Sequence, residues 1–365
     1  MKKLVYYVPG SFNPLKEQSD VKTWLSIFKI FADNISFVDR TGIITAPVLT
    51  ATQPHNAIPV NDGSFSLSLD ECAVARAEEI YNKHLEHGVP IRVGWSGGID
   101  SSVALMSFIE LLGMKRAVEV VEVVMTNNGI VENPYLWERI VRKENFRLVH
   151  SMNFSEKWDG SEIMVNGESG DQVHGTDVYR SLRRLYGEQS MTMPWTYELI
   201  YKHVVWKATD LNPAEAELFT NVLINQVKQA PVEIVTLADF WWWLNFSCKW
   251  SSVIYRLLAK SPVPVDDNYT SNFFFPFFAS EKFQLWSMYK REEKHKGNWE
   301  TYKWKAKDFV CKVSGCDDFQ FKHRQGSLTT VLTHTTKCEA IDNEHNFYRS
   351  IDPTEWYEPN NSFRI

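Results

Sequence analysis

The chain has 365 residues, 44% of them hydrophobic and 23% charged, which is ample material for a large core and too little charge for a disordered chain. A formal net charge of −6 removes the global positive field that a dedicated nucleic-acid binder uses. The longest apolar runs, 117–125 and 238–244, fall far short of the roughly 20 residues a membrane-spanning helix needs, and both are interrupted by acids. The run after Lys2 and Lys3 breaks at Pro9-Gly10, before a signal-peptide core is complete. We therefore expect a cytoplasmic protein, with Cys72, Cys248, Cys311, Cys316 and Cys338 reduced.

In chain order, 4–8, 35–39 and 42–49 are β-rich and punctuated by prolines, with 21–32 the one helical pattern before residue 60. A small β-rich N-terminal domain over 1–68 is expected. Residues 69–87 have helical spacing, with Asp70 placed as a cap and Gly88-Val89-Pro90 as a stop. The run 91–95 reads as a strand, Gly97-Gly98 as a tight turn, 101–112 as a helix ended by Gly113, and 117–125 as a second strand. A helix over 134–144 and strands over 146–150 and 162–166 follow. Strands alternating with helices predict a parallel sheet, in which ligands sit at the carboxyl ends of the strands. Beyond about residue 176 the pattern is helical and aromatic, with Trp195, Trp206, Trp241, Trp242, Trp243 and Trp250. The 240–244 run is too uniformly apolar for an exposed face, so buried helix packing is expected there rather than a ligand platform. The last fifty residues give weak periodicity, and 313–365 is assigned as an extension.

Two segments carry chemistry. In Val93-Gly94-Trp95-Ser96-Gly97-Gly98-Ile99-Asp100-Ser101-Ser102, a strand runs through a glycine turn into a helix. Backbone N–H groups and the positive helix end suit phosphates, Asp100 can hold the accompanying Mg²⁺, and the Ser96, Ser101 and Ser102 hydroxyls can donate to phosphate oxygens. The Gly-Lys-Ser/Thr of the common P-loop is missing. The second segment, Asn166-Gly167-Glu168-Ser169-Gly170-Asp171-Gln172, sets two acids three residues apart at the end of another strand.

The Ser-Gly-Gly-x-Asp-Ser loop resembles the pyrophosphate loop of the PP-loop ATP pyrophosphatases, and 163–175 resembles the strand-end segment of asparagine synthetases and β-lactam synthetases. Phe275-Pro276-Phe277-Phe278 with Tyr302-Lys303-Trp304-Lys305-Ala306-Lys307 is similar to that family's ending. The resemblance covers about 69–312 and implies an α/β parallel-sheet PP-loop domain with a helical C-terminal part. It implies an ATP- and Mg²⁺-dependent ligase that adenylates a small-molecule carboxylate, releases pyrophosphate, and passes the acyl group to an amine or ammonia. Asp100 and Asp171 would hold Mg²⁺, and Glu168 would assist the amine. Lys303 would be the catalytic lysine, with Lys305 its neighbouring competitor. Ser96, Gly97, Gly98, Ser101 and Ser102 would hold the phosphates, and the adenine would lie over Trp95, Val124 and Gly167.

Departures from the family pattern are also informative. Lys2 stands where glutamine-dependent members have a nucleophilic cysteine, so nitrogen is expected from ammonia, an amine or a partner protein. Gln172 and Ala279 replace family acids. Lys249 and Arg256, seven apart, either grip a substrate carboxylate or pair with acids at the core edge. A rival reading keeps the nucleotide chemistry on a nucleobase of RNA or DNA, with Arg180, Arg183, Arg184 and the basic stretch 282–307 as the polymer contact. A second rival is a binding module without turnover. Cys311, Cys316, His334 and Cys338 approach a zinc spacing, although unrelated reduced cysteines are the better expectation.

Overall fold

A computed structural model of the protein describes residues 2–30, 35–47, 57–150, 161–260, 266–315 and 338–361. The first strand, β1 (Leu4–Tyr7), is buried along its whole length and is followed by α1 (Ser19–Ile30). Helix α2 (Leu69–His87) starts where Ser68 accepts from the Glu71 N–H and Glu71 answers with its carboxylate, and it stops at Gly88 in the left-handed region. Ser68, and not Asp70, is thus the cap. Asp70 instead faces Lys305 and Lys312 at 3.5 and 3.7 Å.

Strand β2 (Ile91–Gly94) leads into α3 (Ile99–Val120), which is broken at Gly113 by a φ of 72°. Strand β3 (Val121–Met125) is shorter than predicted because 114–120 stays helical: Ala117 and Val120 face inward while Arg116 and Glu119 pair across one turn at 2.9 Å. After α4 (Asn127–Glu132) come β4 (Arg147–His150), mostly exposed, and β5 (Ile163–Asn166), fully buried. Next are α5 (Gly170–His174), α6 (Tyr179–Tyr186), α7 (Tyr197–Lys207), α8 (Pro213–Lys228), α9 (Leu237–Cys248) and α10 (Trp250–Leu258). Strand β6 (Phe274–Pro276), α11 (Glu281–Tyr289), α12 (Trp304–Ser314), β7 (Ala340–Asp342) and β8 (Phe347–Tyr348) complete the series.

The expected parallel sheet is present. Its five strands run in the order β4-β3-β2-β5-β6, every neighbour parallel. The chain builds outward from β2 to β4, then returns to the other side of β2 for β5. That reversal opens a crevice beyond the carboxyl ends of β2 and β5, the place where ligands bind in sheets of this order.

Of the three strands expected in 1–68, β1 forms; the described residues of the other two, 35–39 and 42–47, are not strand, and 48 and 49 lie outside the described residues. Residues 35–47 lie against a helix end instead. The N–H groups of Val38 and Arg40 donate to Cys248 O and Ser247 O at 2.9 and 3.1 Å, satisfying carbonyls at the end of α9. Strand β1 pairs antiparallel with β7, which pairs with β8, so the two ends of the chain share one small sheet. Every residue of α9 is buried, as expected of the tryptophan-rich run. No described helix is long and apolar enough to cross a membrane.

Arg40 is the pin between the 35–47 segment and the helices. Its guanidinium lies 4.3 Å from the Phe246 ring centre and 4.2 Å from that of Trp250, and it donates to Gln284 at 2.7 Å. Burial pulls its pKa down to about 9. Replacing Arg40 with Ala is expected to cost about 2–4 kcal/mol in urea unfolding, and Lys should recover less than half of it, because an ammonium cannot stack flat between two rings.

Candidate functional site

The loops leaving β2 and β5 meet in the crevice. Gly97 turns the first loop with a φ of 77°, and a Cβ there would sit 2.4 Å from Gly129 O. Only glycine meets both conditions. The Ser101 hydroxyl accepts from the Ser96 N–H at 3.1 Å and lies 3.1 Å from the Ser96 hydroxyl, so the loop is held in shape by its own serines. Helix α3 begins at Gly98 with no side-chain cap, which directs its positive end and first N–H groups toward the crevice.

The second loop presses directly on the first. A Cβ at Gly170 would fall 2.5 Å from Asp100 Cγ, so the start of α5 rests against that carboxyl group. Asp171, at the next position, joins Asp100 around a single cation. Lys303 Nζ lies 2.7 Å from each Asp100 oxygen and 2.8 Å from Asp171 Oδ1. Lys305 reaches Asp70 and Asp308 instead, so of the two neighbouring lysines Lys303 is the one in the crevice. Glu168 is buried, and Arg256 Nη2 donates to both its oxygens at 2.9 and 2.7 Å. Burial raises the Glu168 pKa; Arg256 opposes the rise, and the charges of Asp171 and Asp100 add to it. Lys249 pairs with Asp177 at 3.1 Å. Both Lys249 and Arg256 therefore meet acids of the chain itself.

The short helix α5 cannot hold itself in place, since a five-residue helix is far below the length at which helices persist alone. Side chains tie its carbonyls. His174 Nδ1 bonds Gly170 O at 2.9 Å, Asn245 Nδ2 donates to Asp171 O and Gly175 O at 3.2 and 2.8 Å, and Trp242 Nε1 donates to Gln172 O at 3.0 Å. The Ser287 hydroxyl donates to Val173 O, and Gln172 Nε2 donates to Asn245 Oδ1 at 3.3 Å. Asn245, Trp242 and His174 were not among the sequence candidates. A lone Asn inside an apolar run was their only signal.

Several predicted residues lie elsewhere. The Trp95, Ser102 and Val124 side chains have no exposed surface, and the Trp95 indole donates to the Ser102 hydroxyl at 3.1 Å. They form the floor beneath the loop and offer no face to an adenine or phosphate. Gly167, by contrast, is on the crevice, with a Cβ there falling 2.9 Å from Ser101 N. Arg180, Arg183 and Arg184 are exposed on α6, where Arg183 pairs with Glu188. Cys316 and His334 lie outside the described residues. Cys311 and Cys338 are buried thiols, and no group of three or more metal-binding side chains occurs among the described residues. A cavity of about 910 Å³, lined in part by Phe65, Tyr255, Leu258, Phe274 and Lys282, lies beside the edge strand β6 and not at the acids.

No protein-family model matches the chain, and no curated protein matches it by sequence.

Two outcomes follow from this geometry. Asn245→Ala takes the side-chain donor from Gly175 O and leaves Asp171 O with the Gly175 N–H alone, and is expected to lower stability by about 1–3 kcal/mol; a loss under about 0.5 kcal/mol in urea unfolding would mean that α5 is held by other contacts. Burial also holds His174 and His203 down to about 3 and His295 to about 4, against an ordinary 6.5. Because these folded-state values lie below the unfolded one, the unfolded chain binds more protons once pH drops under about 6.5, so stability is full above that and drains toward pH 4. Urea midpoints should fall steadily over that interval, and a midpoint unchanged from about pH 7 to pH 5 would contradict it.

Proposed function

We propose that the protein is an ATP-dependent amide-forming ligase of the PP-loop kind, releasing AMP and pyrophosphate. The observation that carries this reading is the meeting of the Ser96–Ser101 loop with Asp100, Asp171 and Lys303 at the crevice between β2 and β5. A glycine turn opening an uncapped helix suits a chain of phosphates. Two carboxylates with hard oxygens around one point suit Mg²⁺, which on a phosphate chain needs one or two protein carboxylates and not a closed cage. Asp100 and Asp171 would hold that ion, whose part is to neutralise charge on the leaving pyrophosphate.

In this reading an oxygen of the substrate carboxylate attacks the α-phosphorus, the bond to the β-phosphate breaks, and pyrophosphate leaves along the 96–101 loop. An amine or ammonia then attacks the acyl carbon of the adenylate, and AMP departs. Glu168 takes the amine proton. Burial makes it a stronger base than an exposed glutamate, and Arg256 fixes its direction. Lys303, within reach of both phases, stabilises charge gathering on phosphate and acyl oxygens. The adenine contact falls to Gly167 and the surrounding backbone, because the Trp95 and Val124 side chains are sealed beneath.

The test is product analysis with MgATP and a pool of carboxylic acids and amines, comparing wild type with Asp100→Ala. AMP and pyrophosphate are expected, with a loss of at least about a hundredfold in the variant. ADP and phosphate would overturn the reading, and products appearing only when RNA is added would move the substrate to a nucleobase. Since Glu168 must be ionised and its pKa is raised, the amide-forming rate should climb with pH through the acidic range.

A further inference from the structure

Lys303 and a divalent ion compete for one place. The ammonium has three N–H donors, and three carboxylate oxygens, two from Asp100 and one from Asp171, lie 2.7–2.8 Å from it. A cation bridging these two acids would have to sit where Nζ sits. We propose that Lys303 is a resident counter-ion that bars free divalent metal from Asp100 and Asp171, so that the metal enters only with the phosphate chain that draws the lysine away. The proposal rests on the reading of these two acids as the divalent-ion site.

Charge supplies the logic. Two carboxylates and one ammonium leave a single net negative charge, a poor attractant for a divalent ion that must also displace a cation in contact with both acids. A metal–triphosphate brings both parts of the exchange at once. The ion replaces Nζ between the acids, and phosphate oxygens give the ammonium new acceptors, so no charge is left unpaired at any stage. The side chain suits this movement. Lysine is a point charge on a flexible stem, free to turn toward a new anion, whereas the planar fork of arginine is committed to one geometry.

The backbone at Lys303 is held, so any movement of the ammonium must come from rotation about the side-chain bonds. Lys303 has a φ of 58°, in the left-handed region that a residue with a side chain rarely occupies, and its N–H donates to Lys294 O at 2.8 Å. This fixes the root of the stem at the start of α12. Lys307 lies one turn further on, where burial lowers its pKa and the nearby Lys303 charge adds to the drop. A second cation thus stands near the first, with its ammonium donating to Glu300 O at 3.3 Å.

The experiment measures Mn²⁺ binding without nucleotide, from the electron paramagnetic resonance signal of the free ion. Lys303→Met and Lys303→Gln are expected to bind one Mn²⁺ at least about tenfold more tightly than wild type, and adding Asp100→Asn should erase the gain. Wild type should carry Mn²⁺ through rapid gel filtration when a non-hydrolysable ATP analogue is supplied, and lose it without the analogue. If the variants unfold more readily, as two unpaired acids would cause, Mn²⁺ should raise their melting temperature and leave that of wild type unmoved. Wild-type affinity equal to that of Lys303→Met, or a gain that survives Asp100→Asn, would overturn the proposal. Absence of AMP formation in the same preparations would sink the ligase reading alone, because the metal affinity is read without nucleotide.

Discussion

The whole arrangement depends on one contact, the ammonium of Lys303 between Asp100 and Asp171. Two carboxylates brought together at a partly buried point repel each other, and each resists leaving water. A cation in hydrogen-bond contact with both offsets much of that. The three residues come from the start of α3, the start of α5 and the start of α12, segments separated by up to two hundred positions. Their alignment within hydrogen-bond distance requires that the α5 backbone approach Asp100 more closely than any Cβ permits, which is why Gly170 stands where it does. The sheet order supplies the meeting place, and the glycine supplies the last ångström.

Behind that contact, α9 acts as a rigid wall. Its aromatic residues pack on every side, and this gives fixed coordinates to the few polar atoms it carries. Trp242 and Asn245 spend those atoms on the carbonyls of α5. A buried carbonyl without a partner costs more than a made hydrogen bond returns, so these ties specify position as much as they stabilise. Lys294 belongs to the same layer. Its ammonium lies 3.3 Å from the Trp242 ring centre, burial lowers its pKa to about 7, and its carbonyl anchors Lys303. The apolar wall and the charged centre are therefore one construction.

What was legible in the sequence was local. The strands β2 and β5 appear as short apolar runs before glycine turns, and Asp100, Glu168 and Asp171 follow within a few residues of those turns, so their convergence comes from topology alone. Partnerships across the fold were not legible. Nothing near Arg256 announces Glu168, and nothing in the tryptophan-rich run sets Asn245 apart as a tie for another helix. The strands expected over 35–39 and 42–49 are missing from the described residues 35–47 for a related reason. Several apolar residues there do pack inward, but the Val38 and Arg40 N–H groups go to the end of α9, that of Phe37 to the Tyr7 hydroxyl, and those of Thr41, Ile43 and Ile44 to the Asp39 carboxylate, which is a turn's bonding and not a strand ladder. The residue leaving β2, Trp95, turns its ring into the core, beneath the loop it introduces, and the apolar pattern of the strand does not tell that ring from one facing a ligand.

The chain ends also act on the site, through α10. That helix carries Arg256 on one side and packs against β1 on another, and the Arg256 charge is felt at Tyr6, whose phenol pKa it lowers against the larger rise from burial. Strand β1 is held in turn by β7, so the position of the guanidinium that grips Glu168 is fixed by residues from both ends of the chain. The small sheet thus acts on the Arg256–Glu168 pair through the helix between them. By backing α10, it sets where the one arginine lies that opposes the burial-driven rise of the Glu168 pKa, and hence how readily that glutamate carries a charge.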